Sequence, residues 1–237
     1  MNSPVLTFKR YELKYILSSK QTEALMEQLE NYMKVDQYGL TSIASLYYDT
    51  EDYRLIRASI EKPEFKEKIR LRSYGLAKPG KPVYLELKRK AYEIVYKRRV
   101  STTETDVEKF FSDGDSVYED QIGKEITYFR SYYQKLIPAC LIIYDRLAYY
   151  EVDGNLRLTI DFNPRYRLND LNLSTSMEGK PLLPDGYTIL EVKVQDAMPL
   201  WLTRILSSQR IYKSSFSKYG TAYMKNINNK NMEVSYV

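Results

Sequence analysis

Polar and apolar residues alternate with a period of two through most of this chain, and neighbouring side chains on a strand project to opposite faces. That pattern selects strands over helices at 7–17, 42–49, 66–74, 81–90, 93–101, 140–150, 156–162 and 187–194. A very short link between 81–90 and 93–101 marks a hairpin. The 24 tyrosines agree with this, because Tyr favours half-buried strand positions with one wet end.

Helical signals are fewer. Ser18 or Ser19 caps a helix running to about Met33, with Leu25, Met26, Leu29 and Met33 on one face. Thr103 caps a short helix at 104–111, a longer one is expected at 120–136, and Pro199 opens a fourth at 200–207. Strands without βαβ alternation imply an α+β antiparallel barrel in a single domain, 1–226. The longest irregular stretch is expected at 163–185, with a disordered tail at 227–237.

Composition narrows the chemistry. Hydrophobic residues make up 43% of 237, enough for a core. A net charge of +5 is mild, without the contiguous basic run of a strong nucleic-acid binder, so no nucleic-acid partner is expected. The chain has no histidine, which excludes His-based triads and His-ligated zinc. Cys140 lies in an apolar run and reads as a buried structural thiol. Val5–Arg10 reaches charge too soon for a signal peptide, and no apolar stretch approaches the ~20 residues that span a bilayer. The expectation is a soluble, cytoplasmic protein.

The polar faces of the strands are biased towards formal charge. Arg10, Glu12 and Lys14 share a face; so do Lys68, Arg70 and Arg72; so do Glu86, Lys88 and Lys90. Lys97 pairs with Arg99, Arg157 with Thr159 and Asp161, and Glu191 with Lys193. Such faces either look outward around an apolar barrel or inward around a polar lumen. The second arrangement needs helices over the apolar exterior and a polyanion for the cations. Periodicity leaves both open.

The strand motifs, in order, resemble the triphosphate tunnel metalloenzyme superfamily and most closely the polyphosphate polymerase domain of the vacuolar transporter chaperone (VTC) family. They are Arg10-Tyr-Glu-Leu-Lys-Tyr15, Ser45-Leu-Tyr-Tyr-Asp49, Lys68-Ile-Arg-Leu-Arg72, Tyr84-Leu-Glu-Leu-Lys88, Val95-Tyr-Lys-Arg-Arg99, Tyr144-Asp-Arg146, Leu156-Arg-Leu-Thr159, Leu190-Glu-Val-Lys193 and Ser217-Lys-Tyr219. The resemblance implies an eight-stranded antiparallel β tunnel with flanking helices, binding ATP, triphosphate or polyphosphate with Mn²⁺ or Mg²⁺. It implies a phosphate grip of Arg10, Lys14, Lys68, Arg70, Arg72, Lys88, Lys97, Arg99, Arg146, Arg157, Lys193 and Lys218. Lys14, Arg70, Arg72, Lys88, Arg146 and Glu191 would be catalytic, and Glu191, Glu12 and Glu86 would hold the metal.

The expected activity is transfer of the γ-phosphoryl of ATP to a polyphosphate chain. A triphosphatase on the same tunnel and a non-catalytic polyphosphate-binding module are the alternatives. The polymerase branch tends to carry a lysine where this chain has Ser215, with Lys213 close by. The eukaryotic complex's phosphate-sensing domain and membrane helices have no counterpart here, so a bacterial stand-alone form is expected, with any membrane partner separate.

Overall fold

The structure, a computed structural model, describes residues 11–227 apart from 93, 115–119 and 153. Its elements begin with β1 (Tyr11–Leu17), α1 (Ser19–Leu29), β2 (Lys34–Val35), β3 (Thr41–Asp49), α2 (Arg54–Ile60) and β4 (Phe65–Tyr74). The hairpin β5 (Val83–Ala91) and β6 (Ile94–Thr102) follows, then α3 (Glu104–Ser112), α4 (Gln121–Tyr133), β7 (Ile137–Tyr150) and β8 (Arg157–Arg167). The chain continues through β9 (Lys180–Pro181), β10 (Thr188–Val194), α5 (Leu200–Ser208), β11 (Lys213–Ser214), α6 (Lys218–Ala222) and a π-helical turn, Tyr223–Ile227.

The chain divides into two compact units, and β7 and β8 contribute residues to both. The first unit holds the residues up to Leu40 with Arg146–Phe162 and Gly186–Phe216. Its sheet runs β11-β1-β10-β8-β7, with β2 paired on β7. One face packs beneath α1 and α5 in a core of Leu17, Leu25, Leu29, Leu158, Leu190, Val192 and Leu202. Ser18 and Gln21 form a reciprocal capping box that starts α1. The helix stops at Leu29 rather than near Met33, and the Asn31 and Tyr32 N–H groups donate only three residues back, to the Gln28 and Leu29 carbonyls, in a tightened turn that leads into β2. Tyr32 then stacks on Trp201, centroids 4.2 Å apart.

The second unit holds Thr41–Asp145, Asn163–Asp185 and the residues from Ser217 on. Its sheet runs β7-β3-β4-β5-β6. Leu46, Tyr48, Ile69, Leu71, Leu85 and Leu87 form one apolar face, covered by Val107 and Phe110 of α3 and by Ile126 and Phe129 of α4. Thr103 and Asp120 cap those helices.

All the paired strands with registers given are antiparallel. Among the described residues eight strands have seven or more residues, and three two-residue strands raise the total to eleven. Among the described residues no ladder closes the sheet: β11 and β6 are its edges. The stretch at 163–185 is more ordered than expected, since β8 continues to Arg167 through Asn163-Pro164. Arg167 then ties the loop by donating to the Asp170, Asn172 and Ser176 carbonyls. Of the tail expected from 227, only Ile227 lies among the described residues.

Candidate functional site

In each unit the helices cover the apolar face, which leaves the charged face on the other side of the sheet. In the second unit that face is ordered in three rows. Tyr47, Arg70, Glu86 and Arg99 stand in register across β3, β4, β5 and β6. Ser45, Arg72, Tyr84 and Ser101 form the next row, and Lys68, Lys88 and Lys97 the third. These rows carry six cations and one carboxylate. Lys68, Lys88 and Lys97 stand directly opposite one another, which concentrates positive charge in that row, and Glu86 is the carboxylate against Lys97.

Glu86 is 1% exposed and holds the cluster together. Its Oε2 accepts from Arg70 Nε at 2.9 Å and lies 3.8 Å from Arg72 Nη1. Its Oε1 accepts from Lys97 Nζ at 2.8 Å and from Arg99 Nε at 2.8 Å. Burial pushes the Glu86 carboxyl up, but Arg70, Arg72 and Lys97 outweigh it and hold the group well below the usual carboxylate range. Burial lowers the Lys97 ammonium to about 8; Glu86 opposes that shift, while Arg99 and Arg72 add to it.

The guanidiniums are oriented by neutral groups. Arg72, 6% exposed, donates to Ser45 Oγ at 3.2 Å and to the Tyr144 hydroxyl at 3.0 Å. Arg70 donates to the Tyr47 hydroxyl at 2.9 Å. Arg99 lies 4.6 Å from the Tyr84 ring centroid and donates to the Tyr74 hydroxyl. From α6, Lys218 Nζ sits 4.4 Å from the Tyr144 ring centroid. Lys68 Nζ donates to Ser217 Oγ at 3.4 Å. Arg70 and Arg72 are thus held in the protein and do not hang in bulk water.

The first unit's charged face is more balanced. Glu12, Lys193 and Arg157 form one row, and Lys14, Glu191 and Thr159 the next. Lys14 Nζ lies 3.4 Å from Glu12 Oε1 and 3.9 Å from Glu191 Oε2, while Lys193 Nζ lies 3.0 Å from Glu191 Oε1. Thr159 Oγ1 is buried with no hydrogen-bond partner among the described residues. Arg146 donates twice to the fully buried Asp161, at 2.6 and 2.8 Å.

Among the described residues no group of three or more acidic, His or Cys side chains could hold a metal. Glu12 and Glu191 share one sheet face, whereas Glu86 belongs to the other unit and is engaged by cations. A hard divalent ion on this face would find one or two carboxylates and the unpartnered Thr159 hydroxyl opposite Glu191, and would need its remaining oxygens from outside the protein. Arg10 lies outside the described residues. Lys213 pairs with Tyr15, on the apolar side of β1, while Ser214 is the residue opposite Lys14.

Sequence reasoning missed Ser45, Tyr47, Tyr144 and the Arg146 partner Asp161. The signal was present for two of them: Ser45 and Tyr47 alternate with Leu46 and Tyr48 and so face the cations.

Solved structures of low identity share this fold. An adenylyl cyclase candidate from Hippeastrum, whose dominant activity is that of a triphosphatase, is 15% identical, with a TM-score of 0.56 over 90% of this chain and 94% of that one. Adenylate cyclase candidates from Bacillus halodurans (11% identity, 88% and 95% coverage, TM-score 0.52) and Vibrio parahaemolyticus (13%, 91% and 98%, 0.51) are similar to it as well. No curated protein matches the chain. The VTC domain family matches residues 9–226, and the chain belongs to that family.

Proposed function

We propose that this protein is a metal-dependent polyphosphate polymerase. The observation that carries this reading is the set of three registered rows in which six cations surround one buried carboxylate, an arrangement complementary to a chain of phosphates. Lys68, Arg70, Arg72, Lys88, Lys97, Arg99 and Lys218 grip phosphate oxygens. Lys14, Arg146, Arg157 and Lys193 serve the same ligand class. Arg supplies a planar fork and Lys a mobile point charge. Glu86 keeps the guanidiniums aimed and stops them repelling one another.

Glu12 and Glu191 are the carboxylates of the first unit that would hold Mn²⁺ or Mg²⁺, and such an ion would supply charge neutralisation to phosphate oxygens. In the reaction, the terminal oxygen of a polyphosphate chain forms a bond to the γ-phosphorus of ATP. The bond from that phosphorus to the β,γ-bridging oxygen breaks, and ADP leaves. Phosphoryl transfer asks mainly for positioning and charge stabilisation, so a site without histidine suffices.

A triphosphatase is the second reading, favoured by the dominant activity of the Hippeastrum protein. Purified protein incubated with ATP and Mn²⁺ separates the two. Long-chain polyphosphate on a gel is the result expected, and orthophosphate with ADP and no polyphosphate assigns the site to hydrolysis.

A further inference from the structure

The second unit contains a fully buried carboxylate that the phosphate grip does not use. Asp49, 0% exposed, ends β3 and has four donors on its two oxygens. Oδ1 accepts from the Thr50 and Leu55 N–H groups at 2.9 and 2.8 Å. Oδ2 accepts from the Ile56 N–H at 3.0 Å and from the Tyr219 hydroxyl at 2.9 Å. A carboxylate offers about four lone-pair sites, so these bonds saturate it. Asp49 caps α2 from outside the helix, because the residue at the cap position, Tyr53, makes no side-chain cap bond. The fourth site reaches across to α6.

Helix α6 and its N-cap residue make two contacts at the cation cluster, Lys218 over Tyr144 and Ser217 accepting from Lys68. Tyr219 is the next residue, 2% exposed, and its ring stacks on Tyr47 at 4.8 Å. Tyr47 in turn accepts from Arg70. Helix α6 with the π-helical turn that continues it spans only Lys218–Ile227, too short to hold its place by internal hydrogen bonds alone. Something outside it must do so, and Tyr219 is anchored at both its ring and its hydroxyl.

We propose that Asp49 and Tyr219 are positioning residues for phosphate binding: their hydrogen bond locks α6 against the end of β3 and so sets where Lys218 meets the ligand. This rests on the reading of Lys218 as a phosphate-gripping residue. It also gives the Ser45–Asp49 and Ser217–Tyr219 motifs one shared physical task.

Inorganic tripolyphosphate, titrated calorimetrically into wild type, Tyr219→Phe, Lys218→Met and the double variant, tests it. Tyr219→Phe keeps the ring and removes only the hydroxyl. The expected result is about fivefold weaker binding in Tyr219→Phe and little further loss when the same change is made in Lys218→Met. Equal loss in both backgrounds, or no loss in wild type, overturns the proposal and leaves the phosphate reading standing. A Lys218→Met protein that binds as wild type overturns it by removing Lys218 from the grip. A wild type that does not bind tripolyphosphate sinks both readings. Should Tyr219→Phe fail to fold, Asp49→Asn takes its place in the same cycle.

Discussion

Glu86 is where removal of a single charge has its largest consequence. Glu86→Gln leaves several buried or half-buried cations without their shared counter-ion, and breaking such a pairing costs about 3–5 kcal/mol. Thermal denaturation is expected to show that loss, with tripolyphosphate raising the melting temperature of Glu86→Gln more than that of wild type, since the ligand restores negative charge. An equal ligand shift in both would place phosphate elsewhere. Because the Glu86 carboxyl is depressed, its stabilisation is complete above the ordinary glutamate range, fades as pH falls below that range and is gone below its lowered value in strong acid. It therefore contributes no pH dependence near neutrality.

Lys97 does. Its folded value of about 8 lies below the ordinary 10.5, so the empty folded site sheds this proton first as pH rises. A bound polyanion raises the value again, and binding takes up a proton. Tripolyphosphate affinity is expected to fall as pH rises through 8, with proton uptake visible as a buffer-dependent heat. Lys97→Met is expected to flatten both effects; an unchanged pH profile would show that Lys97 does not face the ligand. Thr159→Val tests the other face. Removing an unpartnered buried hydroxyl relieves a cost of about 1–3 kcal/mol, so Tm should hold or rise while Mn²⁺-dependent turnover falls. Unchanged turnover would leave Thr159 a packing residue.

Among the elements, alternation identified the strands because each has one face under helices and one under charge, so the period survives in the residue types. The ends of β3, β4, β6 and β10 lie within a residue of expectation for that reason. Where the alternation met a turn dipeptide it misled, as at Asn163-Pro164 inside β8. Helices α2 and α6 escaped notice because both are short and the Asp49 carboxylate serves as the α2 cap from outside the helix. Caps adjacent to their helices were legible. Ser18→Ala, which breaks the α1 capping box, is expected to cost about 1 kcal/mol and leave tripolyphosphate affinity unchanged. A loss of affinity would tie α1 to binding.

For the molecule as a whole, formal charge in the sequence revealed most of the candidate site and hid the rest. Lys68, Arg70, Arg72, Lys88, Lys97 and Arg99 stand out as charges, and register alone brings them into rows. Tyr47, Tyr144 and Ser45 orient those charges but are neutral, and such residues are common on any strand. Asp161 looked like one more polar face residue until its two bonds from Arg146 were located. Among the described residues no helix is long and apolar enough to cross a membrane. The choice between outward and inward charge could not be read from periodicity, since it depends on which face the helices cover. They cover the apolar one in both units.

On the proposed function, the lysine and arginine rows hold a phosphate chain. Calorimetric titration of tripolyphosphate into wild type and Lys88→Met/Lys97→Met tests it most directly. Salt-sensitive binding to wild type is expected, with a loss of at least about tenfold in the double variant, roughly 1.4 kcal/mol or more. Equal affinities would contradict it.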